Sequence, residues 1–175
     1  DRLKTRASIG GGYATLETDR ENLAAALRLT AEILREPSFP EDEFATLKQE
    51  TLAYIEENRK QPESLANNAF ERHLRPYPPE DPRYTATPEE EIGRVKAADL
   101  AALKAFHKDF YGASSGQFSA VGDFDPEAIK SLAGELFGGW VSAKPFKRLE
   151  DKYKPIEPVN ISLEAPDKAN ANIML

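Results

Sequence analysis

The chain has 175 residues, of which 23 are Lys or Arg and 30 are Asp or Glu, and its formal net charge is −7. This acidic balance excludes a basic nucleic-acid surface, and no stretch approaches the ~20 consecutive apolar residues of a membrane span. The absence of cysteine excludes disulfides and thiolate metal sites. We expect a soluble piece of a longer protein, with bacterial periplasm and cytoplasm both open as compartments.

The first elements in chain order are a hairpin and a helix. Alternating segments at 3–9 and 13–19 flank three consecutive glycines, a pattern typical of a tight β-hairpin. Thr18 or Asp19 is then the predicted N-cap of a helix that runs to about Arg35.

Five more helices are predicted from apolar periodicity and from start signals. The second has its buried face at Phe44, Leu47, Thr51, Tyr54 and Ile55. Pro62 opens the third, Thr87 begins the fourth with a capping box, and Asp125 with Pro126 begins the last. Their approximate spans are 41–59, 62–74, 88–96, 100–111 and 126–137.

The remaining segments predict strands and a linker. Residues 116–123 are predicted to form a strand, and 141–158, rich in lysine and proline, an extended linker. Residues 159–165 and 170–175 are predicted strands of a further unit. Because helices outnumber strands and do not alternate with them one for one, the pattern favours an α+β layered fold.

Glu50 and Glu57 are the candidate metal or acid–base residues. Seven residues are nearly two helical turns, so both carboxylates share one stripe of the second helix. Taken alone, glutamates at the edge of an apolar face are most often solvated. The only histidines, His73 and His107, are on different predicted helices, and each is interpreted as a hydrogen-bonded, partly buried side chain.

Other candidate motifs are weak. Ser114, Ser115 and Ser119 lie near no nucleophile elbow, and the glycines at 10–12 lack the lysine and following helix of a phosphate-binding loop. Hence the residues alone assign no catalytic, cofactor-binding or metal-binding side chain.

Three stretches together carry a family resemblance: TLETDRENLAAALRLTAEILREPSFPEDEFATLKQE, DPRYTATPEEEIGRVKAADLAALKAFHKDFYG and FSAVGDFDPEAIKSLAGELFGGW. They resemble the pitrilysin/insulinase family of zinc metallopeptidases over about residues 7–175, most specifically in FHKDFYG and VGDFDP. The resemblance implies an antiparallel-rich sheet with helices packed on one face, as in mitochondrial processing peptidase. In that family the domain is duplicated, and two halves enclose a chamber for peptides.

The resemblance also gives Glu50 and Glu57 a possible origin. In catalytic halves an H-x-x-E-H helix supplies two zinc ligands and the glutamate that activates water. Glu57 matches the position of the third ligand and Glu50 that of an earlier glutamate, but the H-x-x-E-H helix would lie before Asp1. DRLKTRASIGGGYATLETD and FYGASSGQFSAVGDFDP resemble the non-catalytic half more closely.

Two functional hypotheses follow. In the first, residues 1–140 are a non-catalytic peptidase-like domain that lacks its N-terminal part, 141–158 a linker, and 159–175 the first strands of a following homologous domain. Its expected partners are the catalytic half of the same polypeptide, which would hold the zinc, and peptide substrates. In the second, the chain is a fragment of the catalytic half, with Glu57 as a zinc ligand. A related processing subunit without an active partner is a third alternative.

Overall fold

The computed structural model describes residues 5–10, 12–144, 146–150 and 153–175. The chain divides into two compact units, each built from two stretches of sequence. The first unit comprises Asp1–Phe39 with Ala101–Leu149, and the second comprises Pro40–Leu100 with Glu150–Leu175.

The first unit begins with the predicted hairpin. Strands β1 (Thr5–Gly10) and β2 (Tyr13–Thr18) pair antiparallel, and their ends meet at Thr5 with Thr18 and at Gly10 with Tyr13. Gly12 in the turn has φ +84°, a conformation that a residue with a Cβ adopts at a cost. Gly12 therefore serves the reversal of the chain, as predicted, whereas Gly11 lies outside the described residues.

Helices α1 (Leu23–Arg35) and α6 (Pro126–Phe137) supply the buried apolar residues of this unit. α1 contacts both strands and α6. The residues that become buried are Leu27, Thr30 and Ala31 on α1 and Ile129 and Leu132 on α6. The two helices are also joined at their surface, where Arg28 donates to both oxygens of Glu135.

The start of α1 differs from the prediction by one turn. Asn22, not Thr18 or Asp19, is the N-cap residue, and its side chain makes no capping hydrogen bond. Asp19 instead accepts hydrogen bonds from the backbone N–H and the side-chain amide of Asn22. Such a local turn of aspartate competes with the helix for the same residues and delays its first turn.

Helix α5 (Leu100–Phe110) precedes a close contact between two chain segments of this unit. Ala113 N–H donates to Trp140 O at 2.7 Å, and Lys144 N–H donates to Asp109 O at 2.8 Å. Gly112 passes so close to Ser142 that a Cβ would overlap the backbone there. This contact is why a glycine follows α5.

The strand predicted at 116–123 is not formed: the residues there have no regular secondary structure. Phe118 is half exposed and Val121 is fully exposed. A strand needs a neighbour to accept and donate its backbone hydrogen bonds, and the only sheet among the described residues is the β1–β2 pair. The segment 116–123 therefore has no paired neighbour within the described part of the chain.

The second unit contains α2 (Glu41–Asn58), α3 (Pro62–Leu74) and α4 (Pro88–Ala97). The predicted capping box is confirmed: Thr87 Oγ1 accepts from Glu90 N–H, and the Glu90 carboxylate accepts from Thr87 N–H. α2 packs against α4, with Ile55 and Ile92 buried. Lys48 on α2 donates to two carbonyls near the end of α4, those of Lys96 and Ala98.

The predicted buried face of α2 is confirmed only in part: Phe44 and Thr51 are partly buried. Ile55 is buried, but Leu47 and Tyr54 are exposed, the latter by 67%. The only helix that α2 packs closely against within the described residues is α4, so one side of its apolar stripe is covered and the rest faces outward.

Residues 153–175 form no strand, contrary to the prediction for 159–165 and 170–175. Taken together, the described residues form a helix-dominated α+β structure with a two-stranded antiparallel sheet.

Candidate functional site

Glu50 and Glu57 both lie exposed on α2. Their positions are separated by about 10 Å along the helix axis at a rise of ~1.5 Å per residue. Neither has a hydrogen bond or an ion pair with another described residue. Their neighbour Glu56 differs, because it pairs with Arg59 Nε at 2.7 Å. The two candidate carboxylates therefore have the solvated geometry that their sequence context favoured.

The two histidines are held by backbone carbonyls in different units. His73 Nε2 donates to Glu157 O, and His107 Nε2 donates to Leu34 O, each over 2.9 Å. The His107 ring also stacks on Tyr111, with its edge against Phe39. Both side chains are partly buried. The interpretation of each as a hydrogen-bonded structural histidine is confirmed.

The described part of the chain contains no group of three or more His, Cys, Asp or Glu placed to hold a metal ion. A hydrolytic zinc takes about three protein ligands, and neither exposed carboxylate on α2 belongs to such a group among the described residues. These residues do not fit a catalytic zinc. No helix that the structure describes is long and apolar enough to cross a membrane.

The serines form no catalytic arrangement among the described residues. Ser114 Oγ accepts from Ser142 N–H at 3.2 Å and lies 3.4 Å from Ser142 Oγ. These contacts join the same two segments that meet at Gly112. Their role is therefore to hold the backbone of the first unit.

The densest set of polar contacts lies elsewhere, in the second unit. We call it the arginine–tyrosine cluster; it consists of Arg72, Tyr77, Asp81, Arg83, Tyr84 and Glu90. Arg72 Nη1 donates to Tyr84 Oη at 3.0 Å and to Thr85 O at 2.8 Å. Tyr84 Oη in turn donates to the Glu90 carboxylate at 2.8 Å. These bonds join the end of α3, the proline-rich loop and the start of α4.

The remaining contacts of the arginine–tyrosine cluster are made by Arg83 within the loop at 75–88. Arg83 donates to both oxygens of Asp81 through Nε and Nη2, and its Nη1 donates to Glu150 O. The Arg83 guanidinium lies 3.9 Å from the centre of the Tyr77 ring, and Lys154 lies 4.5 Å from the same ring. A planar guanidinium suits both the bidentate carboxylate and the aromatic face.

Hydrogen bonding keeps the acids of the arginine–tyrosine cluster ionised. The hydrogen bonds from the Arg83 side chain and backbone lower the pKa of Asp81 to about 2. The Thr87 backbone N–H, and after it the Tyr84 hydroxyl, hold the pKa of Glu90 below its ordinary value. Both carboxylates are thus charged and already bonded at neutral pH.

No functional residue was predicted in the loop at 75–88. Two of its contacts join residues that are distant in sequence, 12 positions apart for Arg72 with Tyr84 and 67 for Arg83 with Glu150. The available signal was its composition: two tyrosines and two arginines among five prolines in 75–88. That combination is unusual for a simple solvated connection.

Comparison with known families matches residues 97–175 to the model described as the Peptidase M16 inactive domain. The match confirms the resemblance to the inactive half of the pitrilysin/insulinase family over that part of the chain. It begins at the end of α4 and takes in α5 and α6, so all six residues of the arginine–tyrosine cluster precede it. No curated protein matches the chain.

Proposed function

We propose that this chain is the non-catalytic peptidase-like domain of a longer zinc metallopeptidase. The observation that carries the proposal is the match of residues 97–175 to the inactive domain. The exposed positions of Glu50 and Glu57 and the carbonyl bonds of both histidines agree with a domain that carries out no hydrolysis. Its role is to shape the substrate chamber and to support the catalytic half, where the zinc belongs.

We also propose that the layered sheet is completed in the whole protein. Val159, Ile161 and Leu163 alternate along the chain and are each about half exposed, so in an extended strand they would share one apolar face. Phe118 and Val121 likewise expose apolar surface. On this proposal, 1–140 is the peptidase-like domain, 141–158 the linker, and 159–175 the start of the following homologous domain.

Metal content separates this proposal from the catalytic-half alternative. The purified chain is treated with a mild chelator, supplied with zinc, and assayed for bound metal and for cleavage of a peptide library. We expect less than stoichiometric zinc and no cleavage, because a hydrolytic site needs about three fixed ligands. Glu57→Gln is compared with Glu43→Gln, an exposed glutamate at the start of the same helix.

One retained zinc per chain that is lost with Glu57→Gln, but not with Glu43→Gln, would overturn the non-catalytic proposal. The position of an H-x-x-E-H motif in the encoded protein gives a second test. We expect it a whole domain before Asp1 rather than directly upstream.

A partner experiment tests the supporting role. The segment that carries H-x-x-E-H is expressed with and without this chain, and peptidase activity is measured for both. We expect activity to require the chain, since the chamber is formed by two halves. Full activity of the catalytic segment alone would contradict that role.

A further inference from the structure

A cavity of about 360 Å³ lies beside the arginine–tyrosine cluster, between the end of α3 and the proline-rich loop. Its wall carries two guanidiniums, two phenol rings and two prolines: Arg72, Arg75, Tyr77, Tyr84, Pro76 and Pro78. All belong to the second unit and precede the segment that matches the inactive-domain model. The cavity is large enough for several water molecules of about 30 Å³ each.

Arg72 is held in a fixed orientation at this wall. Its Nη1 is bonded to Tyr84 Oη and Thr85 O, and its guanidinium lies 5.2 Å from the centre of the Tyr84 ring. The described residues provide no hydrogen-bond partner for its Nη2 or Nε. A guanidinium fixed along one edge in this way retains N–H groups for an external acceptor.

Arg75 contributes a second, more exposed guanidinium. Its Nη1 lies 3.2 Å from Glu71, one helical turn before it, and its side chain is 57% exposed. Glu90 lies 3.6 Å from Arg72 Nη1 but is bonded to Thr87 N–H and to the Tyr84 hydroxyl. Each of the two arginines therefore has one carboxylate near it, and neither of those carboxylates lines the cavity.

The charge and the shape of the wall specify the ligand. Each guanidinium already has one carboxylate nearby, Glu90 for Arg72 and Glu71 for Arg75, so the wall has no surplus positive charge to balance the double charge of a phosphate. The remaining N–H groups of Arg72 suit the planar, singly charged carboxylate. Tyrosine rings and prolines offer apolar contact to the atoms beside that charge. We propose that this cavity binds a carboxylate group of a peptide. The choice of a peptide as the carrier rests on the proposed function, whereas the carboxylate chemistry rests on the cavity alone.

Binding to the whole chain is measured by isothermal titration and by NMR of the arginine Nε–H groups, with four probes. The probes are acetyl-trialanine with a free C-terminus, the same peptide as its C-terminal amide, the amide of acetyl-Ala-Asp-Ala, and inorganic phosphate. We expect the free acid to bind and to shift the Arg72 Nε–H resonance, and the trialanine amide not to bind. Acetyl-Ala-Asp-Ala amide then shows whether an acidic side chain serves as well as a C-terminus.

Arg75→Gln is the test variant, since the only described partner of the Arg75 side chain is the Glu71 carboxylate. We expect it to weaken binding of the free acid by roughly tenfold, as for loss of one hydrogen bond to a charged group. Arg94→Gln is the matched control: Arg94 lies over the Tyr84 ring at 5.5 Å but does not line the cavity.

Equal binding of the free acid and the amide would overturn the inference, as would equal effects of the two variants or tighter binding of phosphate than of the free acid. These outcomes are independent of the metal assay. A chain that retains zinc but binds the free acid would lose the proposed function and keep the carboxylate site.

Discussion

The contact of α1 with α6 and the arginine–tyrosine cluster are stabilised in opposite ways. The helix pair buries Leu27, Ala31, Ile129 and Leu132 and adds an ion pair at its edge. In the arginine–tyrosine cluster, no side chain of α3 or of the loop is fully buried, and the contacts are hydrogen bonds, ion pairs and cation–π contacts. Apolar burial responds mainly to volume, whereas a polar cluster responds to protonation and to the loss of single donors. Four predictions test this difference.

The largest effect is expected at the apolar contact. Leu27 is 5% exposed, so Leu27→Ala removes buried methyl groups and leaves a cavity. We expect a loss of about 2–5 kcal/mol in the free energy of unfolding by urea titration. Leu29→Ala on the same helix is the control: Leu29 is 57% exposed, and its replacement should change stability by less than roughly 0.5 kcal/mol. Similar losses for both would contradict the assignment of the core.

The next effect concerns the capping box at the start of α4. Thr87→Ala removes the oxygen that accepts from Glu90 N–H and should cost about 1 kcal/mol in urea titration. Thr46→Ala, an exposed position inside α2, loses no cap and should be neutral or slightly stabilising, since alanine favours helix. A cost at Thr46 as large as that at Thr87 would count against the cap.

Acid should weaken the arginine–tyrosine cluster selectively. The folded-state pKa of Asp81 is lowered from 3.8 to about 2, so its contribution is present above pH 3.8 and is lost as the pH falls toward 2. We expect the Arg83 Nε–H resonance to change over that window, and Asp81→Asn to abolish the change. Asp167→Asn, at an exposed aspartate outside the arginine–tyrosine cluster, should leave it intact. A transition centred at pH 3.8, the ordinary pKa of an aspartate, would show that Asp81 is not bonded as described.

The smallest effect is expected on α2. Glu57→Gln should alter the free energy of unfolding by no more than roughly ±0.5 kcal/mol, because the exposed carboxylate has no bonded partner among the described residues. Urea titration at neutral pH measures it. A loss of several kcal/mol would reveal a buried, paired role.

The sequence predicted most reliably what is decided locally. Pro62, Thr87 and Asp125 mark the true starts of α3, α4 and α6, because caps and prolines act on their own first turn. The hairpin was predicted correctly for the same reason, since its two strands are neighbours in sequence. The strand at 116–123 failed because pairing requires a distant neighbour that periodicity cannot supply.

The candidate sites differ in the same respect, between features set within one helix and contacts between distant residues. The solvated stripe of Glu50 and Glu57 could be predicted because exposure on a helix edge follows from spacing. The arginine–tyrosine cluster could not, since Arg72 meets Tyr84 only when the loop folds back on α3. Tyr54 was misplaced for a related reason: a helix shows which residues share a stripe, but not how much of the stripe a neighbour covers.

The contact of 109–114 with 140–144 joins the two ends of a segment that consists of the loop 115–124 and α6. Ala113 and Trp140 are bonded directly, so this segment closes at one place within the first unit. The closure entropy of such a loop rises slowly, by about 0.6 kcal/mol for each doubling of length. Insertions between Ser115 and Phe124 should therefore cost little and leave both anchors in position. Natural variation in length, and engineered tags, would be best tolerated there. Any side chain at Gly112 would instead push the backbone at Ser142 away and separate the two segments that meet there.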